Sequence, residues 1–125
     1  PPTRTQLLAL VNEQRQKAGV AQLKEDNRLD ASAQMKAQDE VDNNYFGHER
    51  PGSTDFIGAD FINATGIRCV YESENLAEIW PITAQEAVKQ WVNSAPHFKA
   101  MIDAKYTLTG FGIDQNEVVE HFCQV

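Results

Sequence analysis

Thr107-Leu108-Thr109-Gly110-Phe111-Gly112-Ile113-Asp114-Gln115-Asn116-Glu117-Val118-Val119-Glu120-His121-Phe122-Cys123-Gln124-Val125 closes the chain, and its reading decides the fold. Two strand-like runs, 107–113 and 117–125, flank Asp114-Gln115-Asn116, a turn composition. The stretch predicts an antiparallel hairpin. Upstream of it the pattern is mainly helical. Thr3 and Gln6 form a capping-box pattern before Leu7, Leu8, Leu10 and Val11, and Gly19 supplies a stop. Val20 and Leu23 read as a short apolar connector. A second helix is expected after Asp26 or Asn27, with Leu29, Ala33, Ala37 and Val41 on one stripe and Gln, Lys, Asp and Glu opposite. Asn43–Ser53 is punctuated by Gly and Pro as a loop.

Ser53 or Thr54 is the expected cap of a short third helix through Phe56, Ile57, Phe61 and Ile62, ending near Gly66. Ile67–Trp80 reads as strand and Pro81 ends it. Thr83-Ala84-Gln85-Glu86 is a second capping box, before a helix face of Ala84, Ala87, Val88, Trp91 and Val92. Ser94-Ala95-Pro96 breaks that helix and starts another short one. Helices first, strands mostly last and a closing hairpin predict an α+β fold with an antiparallel sheet, not alternating βαβ units.

The length of 125 residues predicts one domain, spanning 1–125. Apolar residues at 42% and charged residues at 23% are ordinary for a globular chain. The formal charge of −7 repels phosphate backbones, so no nucleic-acid partner is expected. No apolar run is long enough to cross a membrane. Pro1-Pro2-Thr3 opens the chain without an initiator Met, which reads as a trimmed or mature form whose signal or anchor segment lies outside this sequence. Cys69 and Cys123 are too far apart for a CxxC motif. They read either as two buried thiols or as one disulfide, and the disulfide implies an oxidising compartment.

Three histidines are candidates for chemistry: His48 in the irregular loop, His97 after Pro96, and His121 inside the last strand. His121 reads as a structural or exposed residue and is left out of the candidate site. Glu74 stands between apolar strand segments. Strand alternation puts Glu72, Glu74 and Leu76 on one face and Ser73, Asn75 and Ala77 on the other. A carboxylate on a partly buried face needs partners. Trp91, Phe98, Phe111 and Phe122 read as core. Tyr45, Phe46 and Trp80-Pro81 read as core-edge packing or, alternatively, as the lining of a ligand groove. The acidic run Asp39-Glu40-Val41-Asp42 reads as solvated surface.

The ordered stretches Leu8-x-x-Val11-Asn12-x-x-Arg15, Leu29-x-x-Ser32-Ala33, Phe46-Gly47-His48, Glu74-Asn75-Leu76-Ala77, Ala87-Val88-x-x-Trp91-x-x-Ser94-x-x-His97, Thr109-Gly110-Phe111-Gly112 and Cys123-Gln124-Val125 cover nearly the whole chain. Together they resemble the CAP superfamily of cysteine-rich secretory, antigen 5 and pathogenesis-related class-one proteins, also called SCP-like extracellular domains, in its short bacterial branch. The resemblance implies a three-layer α-β-α sandwich around a central, mainly antiparallel sheet. It implies a cleft in which His48 and His97 are the two family histidines and Glu74 the acid of the Glu-Asn-Leu motif. Many relatives carry a second Glu where this chain has Ser94.

Two imidazoles and a carboxylate are a reasonable Zn²⁺ set with water in the fourth position. The competing reading is a metal-free polar cluster. The expected function is therefore a secreted or cell-surface, non-enzymatic binding module, a monomer with an extracellular ligand or protein partner. No cofactor is required, and divalent-cation binding at His48, His97 and Glu74 is weak. The alternatives are a lipid-binding module and a hydrolase using Ser94 as nucleophile, His97 or His48 as base and Glu74 as orienter. Against the hydrolase, Pro96 interrupts the Ser94–His97 spacing, and Ser94 has a ready role as helix cap. A Cys69–Cys123 disulfide would brace the sheet beside the cleft.

Overall fold

The computed structural model describes residues 1–125. The elements run α1 (Arg4–Lys17), β1 (Lys24–Glu25), α2 (Asn27–Asp42), α3 (Ile57–Ala64), β2 (Tyr71–Glu78), α4 (Ala84–Val92), α5 (Ala95–Met101), β3 (Leu108–Asp114) and β4 (Glu117–Gln124). The strands form one sheet in the order β1-β3-β4-β2. β4 pairs antiparallel with both β3 and β2, while β1 pairs parallel with β3. The expected α+β sandwich with a mainly antiparallel sheet is what the chain forms.

Local signals account for most elements. Thr3 and Gln6 close the capping box of α1, and Asp26 and Thr83 accept from backbone N–H groups at the starts of α2 and α4. The third helix departs from expectation. It begins at Ile57 without a side-chain cap, so neither Ser53 nor Thr54 caps it. The strand expected over 67–80 is confined to Tyr71–Glu78. The connector after Leu23 holds β1, a two-residue strand that exists only because β3 lies beside it.

Helices cover both faces of the sheet. On one face α1, α4 and α5 enclose a core of Leu7, Val11, Trp91, Met101, Phe111 and Phe122 among others. The Trp91 indole N–H donates to the Leu76 carbonyl at 2.9 Å, which fixes α4 on β2. On the other face α2 and α3 cover Leu29, Ile62 and Ile67 in one cluster and Ala33, Ala37, Leu76 and Val119 in a second. Val41 is only half-buried, so the stripe expected on α2 ends before it. α2 lies almost on the backbone of β3: a Cβ at Gly110 would collide with the Asp30 amide nitrogen, and one at Gly112 with the Ala33 carbonyl carbon. Only glycine permits that approach.

Two buried polar devices join the layers on the α1 side. Asn12 pairs with Leu23 through both of its amide atoms, accepting from Leu23 N at 2.8 Å and donating to Leu23 O at 3.1 Å. Arg15, fully buried, donates to the carbonyls of Ala21, Met101, Asp103 and Tyr106. Its guanidinium thus ties the connection after α1 to the one between α5 and β3. Nearby, Glu120 is fully buried: its Oε2 accepts from Thr109 Oγ1 at 2.7 Å and its Oε1 has no partner.

Cys69 and Cys123 form the disulfide, closing a sequence separation of 54 residues, and Cys123 packs in the α2–α3 core. A loop of that length corresponds to a stabilisation of about 4 kcal/mol by chain entropy. Replacing both cysteines with Ala is expected to lower the urea-unfolding free energy by about 2–4 kcal/mol; an unchanged midpoint and slope would contradict it. Glu120 supplies a second expectation. Burial pushes its carboxyl up to about 8 against the opposing Thr109 hydroxyl and Arg15 charge. The folded state then keeps a proton that the unfolded chain loses near pH 4.5. That contribution to stability is full below the unfolded value and falls as pH rises towards the folded one. Glu120→Gln should flatten the fall of unfolding free energy between about pH 5 and 8, on the order of a few kcal/mol. Parallel pH curves for the two proteins would refute the assignment.

Candidate functional site

Glu74 occupies the centre of β2, directly opposite His121 on β4. Alternation turns Glu72, Glu74 and Leu76 to the α2–α3 side, as their spacing predicts. The Glu74 side chain is fully enclosed, and both of its oxygens are engaged by imidazoles. His121 Nε2 donates to Oε2 at 2.7 Å, and His48 Nδ1 donates to Oε1 at 2.9 Å. Burial pushes the Glu74 carboxyl up. The hydrogen bonds from His121 and His48, with the charges of His121 and Lys36, outweigh burial and hold it below the ordinary value.

α2 completes the surroundings. Ser32 Oγ lies 2.7 Å from His121 Nδ1 and donates to the Leu29 carbonyl at 3.1 Å, which seats the ring against α2. Lys36 Nζ is 3.9 Å from Glu74 Oε1 and has no exposed side-chain surface. Its ammonium donates to the Gly47 carbonyl and the Tyr45 hydroxyl, which anchors the loop carrying His48. Glu40, one turn later, is also buried and accepts from Gly47 N at 3.3 Å. The expectation of a solvated polar face on α2 fails here, because loop 43–53 folds over the last turns of the helix. Asp39 is paired too, with Arg50 at 2.6 Å. Of the run 39–42 only Asp42 is fully exposed.

α3 contributes an absence of bulk. A Cβ at Gly58 would overlap Glu74 Oε2. Phe56, just before α3, stands edge-on to the His48 ring with centroids 6.3 Å apart. His48 itself keeps half of its side-chain surface exposed.

His97 belongs to the opposite layer. Asn75, which faces away from Glu74, donates to the His97 carbonyl at 3.0 Å and ties α5 to β2. The His97 ring makes its hydrogen bond with Ser94, Nδ1 to Oγ at 2.8 Å. Ser94 stands at the N-cap position of α5, but its side chain caps nothing, so the expected capping role is not the one it performs. Pro96 does not prevent the Ser94–His97 pairing, contrary to expectation. Burial lowers the His97 pKa, and the His48 charge lowers it further.

The structure therefore joins His48 to Glu74 and Ser94 to His97. No group of three or more His, Cys, Asp or Glu side chains converges in a metal-holding arrangement. Glu74, with both oxygens committed, is placed to orient an imidazole rather than to ligate. The nitrogens left for a cation are Nε2 of His48 and, where Nδ1 donates to Ser94, Nε2 of His97. His121, set aside on sequence grounds, is instead the inner partner of the site's carboxylate. A signal for it existed: an antiparallel pairing extrapolated from the Cys69–Cys123 crosslink places Glu74 within three residues of His121. Lys36, Ser32 and Gly58 carried no such signal. Tyr45 and Phe46 both line a cavity beside Glu40. Trp80 is not core-edge; it is 81% exposed.

His121→Ala removes a buried partner and strands Glu74 Oε2, so its expected cost is about 3–5 kcal/mol. His48→Ala, at a half-exposed ring, should cost clearly less. Urea unfolding of the two variants checks this, and equal losses would contradict the inner and outer roles.

A profile of the Cysteine-rich secretory protein family (CAP) matches residues 8–125. The chain is 37% identical over 106 residues to YkwD of Bacillus subtilis (strain 168), covering 85% of this chain and 40% of YkwD. It is 31% identical over 119 residues to the membrane protein YlbC of the same organism, covering 94% of this chain and 33% of YlbC. The chain thus spans well under half the length of these relatives. Among solved structures, an extracellular protein containing an SCP domain from Bacillus anthracis superposes with a TM-score of 0.89 at 24% identity, over 98% of this chain and 40% of that one. An outer surface protein of Borrelia burgdorferi gives 0.80 at 24% identity, over 94% of this chain and 89% of that one. Profile, relatives and fold agree: the chain belongs to the CAP family of cysteine-rich secretory proteins.

Proposed function

We propose that this chain is an extracellular, non-enzymatic binding module whose cleft is organised by His48, Glu74 and His97, and that the cleft takes a divalent cation weakly. The observation that carries the reading is the Glu74–His48 pair. A buried carboxylate accepting from Nδ1 fixes the tautomer and orientation of a half-exposed imidazole, which leaves Nε2 facing outward. Such carboxylate–imidazole pairs are the usual outer support of metal-ligating histidines. With Glu74 outside the ligand set, two imidazoles and water remain, and a two-nitrogen set accounts for weak binding. Zn²⁺, borderline-soft, suits those ligands.

Extracellular placement rests on the family and on neighbours described as extracellular or outer-surface proteins. The disulfide adds chemistry that persists in oxidising compartments. The partner is an extracellular ligand or protein met by a monomer. The net charge of −7 disfavours nucleic acid. An anchor or signal outside this sequence would give any membrane association.

The Ser94–His97 contact favours a second reading, a hydrolase. Nucleophilic use of Ser94 requires its hydroxyl to donate to Nδ1, with a carboxylate orienting the other ring nitrogen. Glu74 spends its oxygens on His48 and His121, so that orienting group is missing from His97. Binding through Nε2 needs the other tautomer, in which Nδ1 donates to Ser94.

Titration calorimetry with Zn²⁺ separates the readings. Wild type should give a weak isotherm that His48→Ala with His97→Ala abolishes. Glu74→Gln should weaken it about 10–100-fold. Identical blank isotherms for all proteins would remove the cation reading. Turnover of ester, peptide or glycan substrates that Ser94→Ala eliminates would establish the hydrolase instead.

A further inference from the structure

Four residues along the same sheet face from Glu74 and His121, the register stacks carboxylates. Glu78 of β2 stands directly opposite Glu117 of β4, which stands directly opposite Asp114 of β3. Glu40 approaches from the last turn of α2, and with Glu78, Glu117, Tyr45 and Phe46 it lines a cavity of about 420 Å³. Like charges placed directly across strands destabilise a sheet. Of these Glu117 is withdrawn from water, at 6% exposed, as is Glu40 on α2 at 2%, whereas Asp114 is half-buried and Glu78 exposed. The two buried residues each keep one buried oxygen without a hydrogen-bond partner, Oε1 of Glu40 and Oε2 of Glu117. The nearest cation, Lys36, is committed to Gly47 and Tyr45.

We propose that this cavity binds an organic cation, an alkylammonium or guanidinium group, presented by the side chain of a partner peptide or by a free amine. Three features select that chemistry. The polar wall offers carboxylate oxygens from Glu40, Glu78 and Glu117 and the amides of Asn44, Gln115 and Asn116, with no imidazole or thiol. The carboxylates are spread around a cavity and do not converge on one ion-sized point. A multi-donor cation can reach separated acceptors through charge-assisted hydrogen bonds. The exposed Phe46 ring adds a face of the kind that attracts ammonium and guanidinium groups, while Lys36 already lies over the Tyr45 ring, 4.9 Å from its centroid.

Without a cation, the site relieves its repulsion by holding protons. Burial pushes the Glu117 carboxyl up to about 9, with Glu78, Glu40 and Asp114 adding to the rise. Burial likewise pushes Glu40 up to about 7, against the Lys36 charge and the Gly47 amide and with the help of Glu74 and Glu78. An arriving cation favours the ionised carboxylates, so binding should expel protons.

The test is calorimetry at neutral pH in two buffers of different ionisation enthalpy. The probes are Nα-acetyl-lysine methylamide, Nα-acetyl-arginine methylamide, cadaverine and Ca²⁺. Binding of a blocked amino acid or of cadaverine, with proton release, is expected, and which of them binds tells the peptide source from the free amine. Glu117→Gln and Glu40→Gln should each weaken it about tenfold or more, while their thermal midpoints without ligand hold or rise, because Gln has the shape of the protonated carboxyl and needs no proton to stay neutral. Wild-type proton release tests the site even should a variant fail to fold. No amine or guanidine binding at millimolar concentration would overturn the proposal. So would binding indifferent to Glu117→Gln, or Ca²⁺ binding in place of the amines. No residue is shared with His48, Glu74 or His97, so a failed zinc titration leaves this site untouched.

Discussion

A carboxylate enclosed in a protein interior must have both of its oxygens satisfied, and Glu74 meets that demand with partners from three elements. His121 arrives from β4, His48 from the loop after α2, and Lys36 from α2 itself. Each partner is secured in turn: His121 by Ser32, the His48 loop by Lys36 on the Gly47 carbonyl. A one-residue slip of β2 against β4 would move Glu74 to the α4–α5 side and strand a buried charge. The pair therefore constrains the sheet register, the seat of α2 and the course of the loop. Gly58 belongs to the same constraint, because a methyl group there would occupy the space of the carboxylate.

The opposite layer is held on a different principle. Arg15 sends its donors to backbone carbonyls and none to a carboxylate within hydrogen-bond range. It caps loop ends that would otherwise bury unsatisfied acceptors. Glu120 lies in the same layer, and the Arg15 charge opposes but does not overcome its burial. The sheet thus separates two buried carboxyls in adjacent strands. Glu74 is kept ionised by imidazole donors, and Glu120 is kept protonated by the lack of them.

That difference marks the limit of what the sequence could reveal. Caps and periodic stripes are local, so α1, α2, α4 and the β3–β4 hairpin were legible, as was the alternation that turns Glu74 and Leu76 to one side. Residues whose meaning depends on a remote partner were not. Lys36 and Glu40 sit on the charged positions of α2 and read as solvated until loop 43–53 closes over them. His121 read as a lone strand histidine because its partner is 47 residues away, across a register that no local pattern states. β1 has two residues and no pattern of its own; it is defined by β3. His48, Glu74 and His97 were legible only as members of an ordered motif set. Their division into a Glu74–His48 pair and a Ser94–His97 pair follows from Asn75 and Glu74 facing opposite sides of one strand.

Lys36 gives this division a further consequence. Along one sheet face, carboxylates stand at Glu74, then at Glu78, Glu117 and Asp114, with Glu40 above them, and Lys36 is the only buried ammonium among them. Its position beside Glu74 and its bonds to Gly47 and Tyr45 place its charge at the histidine end of the row. The hydrogen bonds from His121 and His48, with a smaller contribution from Lys36, hold Glu74 below its ordinary pKa, whereas burial raises Glu117 at the other end. The face thus has one end whose carboxylate is compensated by two imidazoles and Lys36, and another where the Lys36 charge does not overcome the burial of Glu40. On the function proposed above, cation chemistry at the first end falls to imidazole nitrogens, since the carboxylate is spent. At the second it falls to carboxylate oxygens still without partners. The two ends should therefore differ in the cations they accept, because imidazoles reach Glu74 and none reaches Glu117.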